Sequence, residues 1–491
     1  MNFTDATPEQ IDWALQQAQS AFEQYRNYSL KQRADFMRAI AQSLLDAPDE
    51  LIYTAMEETH LNEERLRGER SRTVFQLNSY ADACEKGQWL DIRMDSADPN
   101  RTPPKPDLRK MLVPLGPVVV FGSSNFPFAY STAGGDTACA LAAGCSVLVK
   151  AHPAHSRTST MVARIIEQVV QHLNMPTGIF QHMYGASYTV GEALVKHPLT
   201  QAVGFTGSFK GGKQIWEWGN QREQPIPVFA EMGSTNPVYL FPEKLKTDWQ
   251  AIATAYCGSI TLGAGQFCTN PGLIVGIKGA DLEAFAADLG EQLQNTAAAK
   301  MLHPGIAQSY RINSQQALEQ DGVEIQAQGE LPNDSLCAYP ILARVSAKVF
   351  LENPVLKEEV FGPYSLIITC EDKREMQQVA HTMVGQLTST IMATEKEITN
   401  FPDLVAAIQQ RCGRLIFNGV PTGVEVCLSQ HHGGPFPAAT DSRFTSVGAD
   451  GIRRFARPVA FQNWPDELLP PELQNANPLG IWRTVNSVLS R

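Results

Sequence analysis

The chain has 491 residues, 43% hydrophobic and 19% charged, so enough apolar surface exists to offset chain entropy, and disorder as the main state is excluded. Lys+Arg 40 against Asp+Glu 51 leaves a net charge of −11 without a clear basic block, which argues against nucleic acid as the main partner. No apolar run reaches the roughly 18 residues needed to span a bilayer, the N-terminus lacks the pattern of a signal peptide, and the nine cysteines are scattered with no CxxC pair; a cytoplasmic protein without a membrane partner, disulfide framework or structural zinc is expected.

The first 90 residues predict helices and suggest no chemistry. Thr7, Pro8 and Gln10 form a capping box with proline at the first helical position, ahead of Ile11, Leu15, Ala18 and Phe22 at helical spacing. Ser29 and Gln32 form a second box ahead of Phe36, Met37, Ile40, Leu44 and Leu45. Arg101 to Lys110 is Pro-rich and charged and reads as an exposed linker or arm.

The texture then changes. Pro117 to Gly122 is a continuous apolar run ending in Gly, as a buried parallel strand should be. A small-residue helix is predicted over Thr132 to Ala143, a strand over Ser146 to Lys150 and a helix over Ser159 to Leu173. Strands follow over Gly178 to Tyr184, Ala202 to Thr206 and Pro227 to Met232. Strands alternating with helices imply parallel βαβ units, whose ligands bind at the carboxyl ends of the strands. A second α/β half begins near residue 233, with helices over Trp249 to Leu262 and Leu282 to Leu293, and strands over Gly272 to Ile277, Ser365 to Thr369 and Gly413 to Phe417. The tail after Phe461 is Pro-rich.

Several positions have the chemistry of a site. Cys268 lies in a short Gly-containing turn, Gly265-Gln-Phe-Cys-Thr269, where a thiol can be exposed and activated. Glu231 ends an apolar strand, where burial would raise its pKa and suit it to general-base work. Gly207-Ser-Phe-Lys-Gly-Gly212 sits between a strand and a helix, a place where backbone approaches phosphate closely; it is neither a full GxGxxG nor a Walker A. Lys150 closes a strand and can pair with ribose or phosphate. The Asn125 amide follows the first strand of the set and can donate to an oxyanion. His152, His155, His431 and His432 have no accompanying ligand set, so no metal is expected. No G-x-S-x-G is present, which argues against a serine hydrolase.

In this order, Asn125, Lys150, Gly207-Ser208 to Gly212, Glu231, Cys268 and Glu358-Glu-Val-Phe-Gly-Pro363 resemble the aldehyde dehydrogenase superfamily, from about residue 10 to residue 460. Further runs resemble one subgroup: Gly122-Ser-Ser-Asn-Phe-Pro-Phe128, Ser131-Thr-Ala-Gly-Gly-Asp136, Lys150-Ala-His-Pro-Ala-His155, Asn418 to Val426, and His432-Gly-Gly-Pro-Phe-Pro437 with Asp441-Ser-Arg443. That subgroup holds alpha-ketoglutaric semialdehyde (2,5-dioxovalerate) dehydrogenases and a related NADP-dependent fatty aldehyde dehydrogenase.

The resemblance implies an α/β fold of two Rossmann-type lobes plus an oligomerisation arm. The cofactor lobe would cover 1–229 with an arm near 93–113, the catalytic lobe 230–425 and a C-terminal return 426–491. It implies Cys268 as nucleophile, Glu231 as general base and Asn125 as oxyanion donor. Lys150 and Glu359 would hold the ribose groups, Phe361 would lie beside the nicotinamide ribose, and Gly207, Ser208 and Gly212 would form the pyrophosphate turn. Phe126, Phe128 and Arg443 are the candidate substrate contacts. Many NAD-preferring members carry Glu three residues after the lysine matching Lys150; here that residue is Pro153, so NADP is expected to be preferred over NAD. A homodimer or homotetramer acting on a small aldehyde follows from the same resemblance. The competing readings are an aliphatic aldehyde dehydrogenase, a cysteine acyl-hydrolase and a non-catalytic structural oligomer.

Overall fold

The computed structural model describes residues 3–491 and contains three main sheets. The N-terminal helices form as the caps predict. Pro8–Tyr25 and Leu30–Leu45 each start with a complete capping box, and Ile11, Leu15, Ala18, Phe22, Phe36, Met37, Ile40 and Leu44 are buried. Leu45 is the exception, half exposed at the end of its helix. Glu50–Thr59 and Glu63–Lys86 complete this helical layer.

The first sheet is five-stranded and wholly parallel, in the order Phe180–Met183, Val147–Lys150, Val118–Phe121, Ala202–Thr206, Val228–Glu231. All five are strands the apolar runs predict. The chain leaves Val118–Phe121 toward one edge and later returns to fill the other, so that strand is the point where strand order reverses. Loops at the carboxyl ends there are the natural place for a ligand. The small-residue helix Gly135–Ala143 is shorter than its predicted span and lies almost wholly in the core.

The second sheet has seven strands: Glu324–Gln328, Ile341–Ser346, Tyr364–Cys370, Leu273–Ile277, Val238–Leu240, Gln386–Met392 and Cys412–Phe417, with only Glu324–Gln328 antiparallel. The first sheet ends at Glu231 and the second begins at Val238. The expected division at residues 229 and 230 therefore falls inside a strand, and the connection is the turn after Glu231.

A third sheet joins distant parts of the sequence. Ala456–Gln462 pairs antiparallel with Leu108–Pro114, followed by Arg93–Asp95, Arg483–Val485 and Val488–Ser490. Leu108–Pro114 is thus a paired strand that begins inside Arg101 to Lys110, the stretch expected to be an exposed linker or arm. The segment from Pro435 to Thr440 comes back to the edge of the first sheet: Met232 donates its N–H to Ala438, Thr440 donates to Ala230, and Glu231 bridges Ala439. No helix among the described residues is long and apolar enough to cross a membrane.

Candidate active site

The turn after Glu231 carries the supports of the site. Gln386, buried on a strand of the second sheet, uses one side-chain oxygen to accept from Ser234 Oγ at 2.9 Å, Thr235 N at 2.8 Å and Asn236 N at 3.1 Å. Asn236 is fully buried with φ +46 and donates to the carbonyls of Cys268 at 2.8 Å and Asn270 at 2.9 Å. The segment linking the two sheets is thereby tied to the nucleophile's own backbone.

Cys268 follows helix Pro242–Thr261 through three residues in left-handed conformation: Gly263 (φ +54), Ala264 (φ +55) and Gly265 (φ +67). A Cβ at Gly265 would lie 2.2 Å from the Gly362 carbonyl carbon, so only glycine fits this close approach. Ala264 has no such freedom and adds about 1–2 kcal/mol of strain to the turn. The Asn125 amide donates to the Gln266 carbonyl at 3.1 Å, which brings the expected oxyanion donor to the nucleophile loop. The Cys268 N–H donates no hydrogen bond among the described residues.

At Cys268 the structure adds a residue. His432 arrives on the segment that returns to the first sheet. Its Nε2 lies 3.6 Å from Cys268 Sγ and 2.9 Å from Glu231 Oε1, while Ser446 Oγ donates to Glu231 Oε2 at 2.8 Å. Sγ, a Glu231 oxygen and Nε2 all fall within 4.8 Å of one another, a donor set that could also take a soft divalent cation. Glu231 and His432 are buried. Burial pushes the Glu231 carboxyl up, but His432 and the hydrogen bonds from His432, Ser446 and Cys268 more than offset it and hold the pKa below the ordinary range. This corrects the expectation of a raised value, which counted burial and not the partners. The Cys268 thiol is pushed well up by burial and by the Glu231 charge.

The substrate-side expectations divide. Phe126 belongs to an aromatic wall beside the nucleophile loop, its ring 5.0 Å from Tyr130 and 5.7 Å from Phe267, and Tyr130 lies 6.4 Å from the His432 ring. Phe128 is not part of it: its ring is packed in the core with 2% exposure. Its backbone is what serves the site, since Glu69 accepts from the N–H groups of Phe128 and Ala129 at 2.8 and 2.9 Å. Arg443 is also misplaced as a contact, because its side chain is 80% exposed and ion-paired to Asp441. The first 90 residues, expected to be chemically silent, supply Glu69 and Arg72. Arg65, Glu69, Arg72 and Gln76 recur at helical spacing along Glu63–Lys86. That polar stripe beside buried Leu66, Leu77 and Tyr80 is the sequence signal for an inward-facing polar helix face.

The cofactor-side residues cluster at the carboxyl ends of the first sheet. Ser208 caps helix Phe209–Asn220, accepting from Gly211 N at 3.3 Å, and Gly207 N–H donates to the Glu231 carbonyl at 3.1 Å. A Cβ at Gly212 would lie 2.5 Å from Met232 Cγ, so glycine lets this helix pack on the strand end. Lys150 ends Val147–Lys150, on the other side of Val118–Phe121, and burial lowers its pKa to about 8. On the other side of the cleft, Glu359 accepts from Ser234 N at 3.2 Å, and burial raises it to about 7. Phe361 and Glu359 line a small pocket with Gly265 and Phe267, on the nucleophile's own loop. A glycine turn, a capped helix N-terminus and a lysine at a sheet's reversal point fit the phosphates and ribose of a dinucleotide.

A profile of the aldehyde dehydrogenase family matches residues 1–435. The chain belongs to that family. It is 47% identical over 482 residues to alpha-ketoglutaric semialdehyde dehydrogenase 2 of Azospirillum brasilense, covering 98% of this chain and 92% of that one. It is 43% identical over 491 residues to alpha-ketoglutaric semialdehyde dehydrogenase of Acinetobacter baylyi, covering 100% and 93%. Among solved structures, betaine aldehyde dehydrogenase from Staphylococcus aureus in complex with NAD+ superposes with a TM-score of 0.80 at 19% identity, covering 94% of this chain and 89% of that one. The 3,6-anhydro-L-galactose dehydrogenase superposes at 0.79 and 20%, covering 94% and 92%. The fold is the aldehyde dehydrogenase fold, and the protein is an oxidoreductase that converts an aldehyde to a carboxylate.

Proposed function

We propose that this dehydrogenase oxidises alpha-ketoglutaric semialdehyde (2,5-dioxopentanoate) to 2-oxoglutarate with NADP as preferred cofactor. The observation that carries the chemistry is the contact of Cys268 Sγ, His432 Nε2 and Glu231 Oε1 beside the Asn125 amide. The substrate reading is supported by the 47% and 43% identities to alpha-ketoglutaric semialdehyde dehydrogenases over nearly the whole chain.

His432 Nε2 takes the thiol proton as Cys268 Sγ attacks the aldehyde carbon, and gives it up to solvent before the hydrolytic half of the reaction. The oxyanion of the thiohemiacetal is held by the Asn125 amide and the Cys268 N–H. A bound nicotinamide dinucleotide, held by Lys150, Gly207, Ser208, Glu359 and Phe361, supplies the two-electron acceptor that the change from thiohemiacetal to thioester requires. Glu231, kept ionised by His432 and Ser446, draws a proton from water. The hydroxide oxygen bonds to the thioester carbon, the carbon–sulfur bond breaks, and carboxylate leaves with Cys268 restored.

For the cofactor, Pro153 is exposed beside Lys150, where a carboxylate would repel a 2′-phosphate. The strand Val488–Ser490 closes the third sheet with Val488 and Leu489 about two-thirds exposed; an apolar free edge of this kind suits pairing with a second copy, in a homodimer or homotetramer. A second substrate reading rests on the aromatic wall of Phe126, Tyr130 and Phe267, which suits an aliphatic chain. Comparing kcat/KM for 2,5-dioxopentanoate with that for C6 to C12 aldehydes separates the two. We expect about 100-fold preference for the dicarbonyl, about 2.7 kcal/mol of transition-state binding; preference for the aliphatic series would overturn this substrate assignment.

A further inference from the structure

Two guanidinium groups stand near Cys268 and Tyr130 without a carboxylate partner. Arg72 reaches from helix Glu63–Lys86 to the Val424 carbonyl, and its Nε is buried without a partner. Arg414 sits on strand Cys412–Phe417, where it is the register partner of Thr388. Thr388 Oγ1 donates to Asn236, whose amide holds the Cys268 carbonyl, so Arg414 stands on the sheet next to the support of the nucleophile. Its Nη1 and Nη2 donate to the carbonyls of Gly423 at 3.0 Å and Pro421 at 2.8 Å, and its Nε is also buried without a partner. Both arginines thus grip one short segment, Pro421 to Val424, a few residues before His432.

Neither Arg72 nor Arg414 forms an ion pair among the described residues. The contrast with nearby arginines is direct. Arg65, 4.5 Å above the Phe126 ring, is paired to buried Glu69, and Arg443 is paired to Asp441. Glu425, the carboxylate on the same segment, is exposed and accepts from Val426 N. Burial pulls the Arg414 guanidinium below its ordinary value, opposed by Cys268 and Tyr130, and the Arg72 charge acts on half-buried Tyr130, on which Glu231 and Cys268 also act. A partly buried cation with only neutral acceptors is poorly compensated. A carboxylate, which accepts from guanidinium forks, is the group that completes it.

We propose that Arg72 and Arg414 form the subsite for a carboxylate at the far end of the substrate, and so make the enzyme selective for short ω-oxo acids over uncharged aldehydes. The inference rests on the substrate reading above and assigns it to residues. The test is the ratio of kcat/KM for 2,5-dioxopentanoate to that for pentanal, in the wild type, Arg72→Gln, Arg414→Gln and the corresponding Lys variants, with glutarate as a competitive inhibitor. The expected result is a wild-type ratio of about 100 that drops by about tenfold to 100-fold in each Gln variant, mostly through KM, with weaker glutarate inhibition and intermediate Lys variants. A high wild-type ratio kept by all variants overturns the role of the arginines and leaves the substrate reading intact. Equal losses on both aldehydes, with the ratio kept, assign the arginines to holding Pro421 to Val424 and also overturn it. A wild-type ratio near one overturns the substrate reading itself.

Discussion

The nucleophile side and the phosphate side of the cleft are built in opposite ways. Around Cys268 the side chains are buried and locked to one another: Gln386 holds the turn from Ser234 to Asn236, Asn236 holds Cys268, and His432 joins Cys268 to Glu231. Around Gly207 and Ser208 the helix N-terminus is exposed, and its contacts are local, from Ser208 to Gly211 and from Gly207 to Glu231. Reacting atoms must be held within fractions of an ångström, whereas a polyphosphate needs donors, a dipole and room. The thiol pays for its fixed position with a raised pKa, so its activation depends on His432 beside it rather than on solvent.

Built so differently, the two sides should fail differently. The largest effect belongs to the locked side. Cys268→Ala should abolish NADPH formation, by about 10⁴-fold or more, without loss of cofactor binding. Glu231→Gln should slow steady-state turnover by about 10²–10³-fold while leaving a burst of reduced cofactor, because deacylation loses its base. His432→Gln should instead suppress the burst itself, by about 10²-fold, because the thiol loses its proton acceptor. Stopped-flow absorbance at 340 nm distinguishes the two, and identical burst amplitudes would remove His432 from thiol activation.

Gln386→Ala probes the lock without touching a reacting group. It strands the buried donors of Ser234, Thr235 and Asn236, and we expect about 2–4 kcal/mol less stability in denaturant titration. A change under about 0.5 kcal/mol would mean that the turn is held elsewhere. The phosphate side should respond mildly and to pH. Lys150 carries its charge below about 8 and loses it above. The ratio of kcat/KM for NADP over NAD should therefore fall a few-fold as pH rises through about 8, and Lys150→Met should flatten that profile. Asp5, whose charge raises the Lys150 pKa, should tune the same profile: Asp5→Asn should move the fall to lower pH.

The same contrast governs what the sequence alone makes legible. The first sheet is readable because most of its strands are short, largely apolar runs, such as Val118 to Phe121 and Val147 to Lys150. Gln386–Met392 lies next to the edge strand of the second sheet and is wholly buried, yet its sequence is Gln-Leu-Thr-Ser-Thr-Ile-Met, and its polar residues help to hold the turn below Cys268. No periodicity reveals a strand whose buried face is polar for a tertiary reason. Asn125, Glu231 and Cys268 are legible as an ordered set. His432 stands in a recognisable run, but its role needs the return of Pro435 to Thr440 to the first sheet. Phe128 and Arg443 mislead for a related reason. Residue type and neighbourhood place them near the site, and only packing shows that one ring is core and the other side chain is spent on Asp441.

The claim on which the rest depends is that Cys268 becomes acylated and that Glu231 clears it. Glu231→Gln enzyme mixed with 2,5-dioxopentanoate and NADP, acid-quenched after the burst and digested, should yield the Cys268 peptide heavier by the aldehyde less the hydride and proton removed. A burst of NADPH without that adduct, or with the adduct on another residue, would contradict the account.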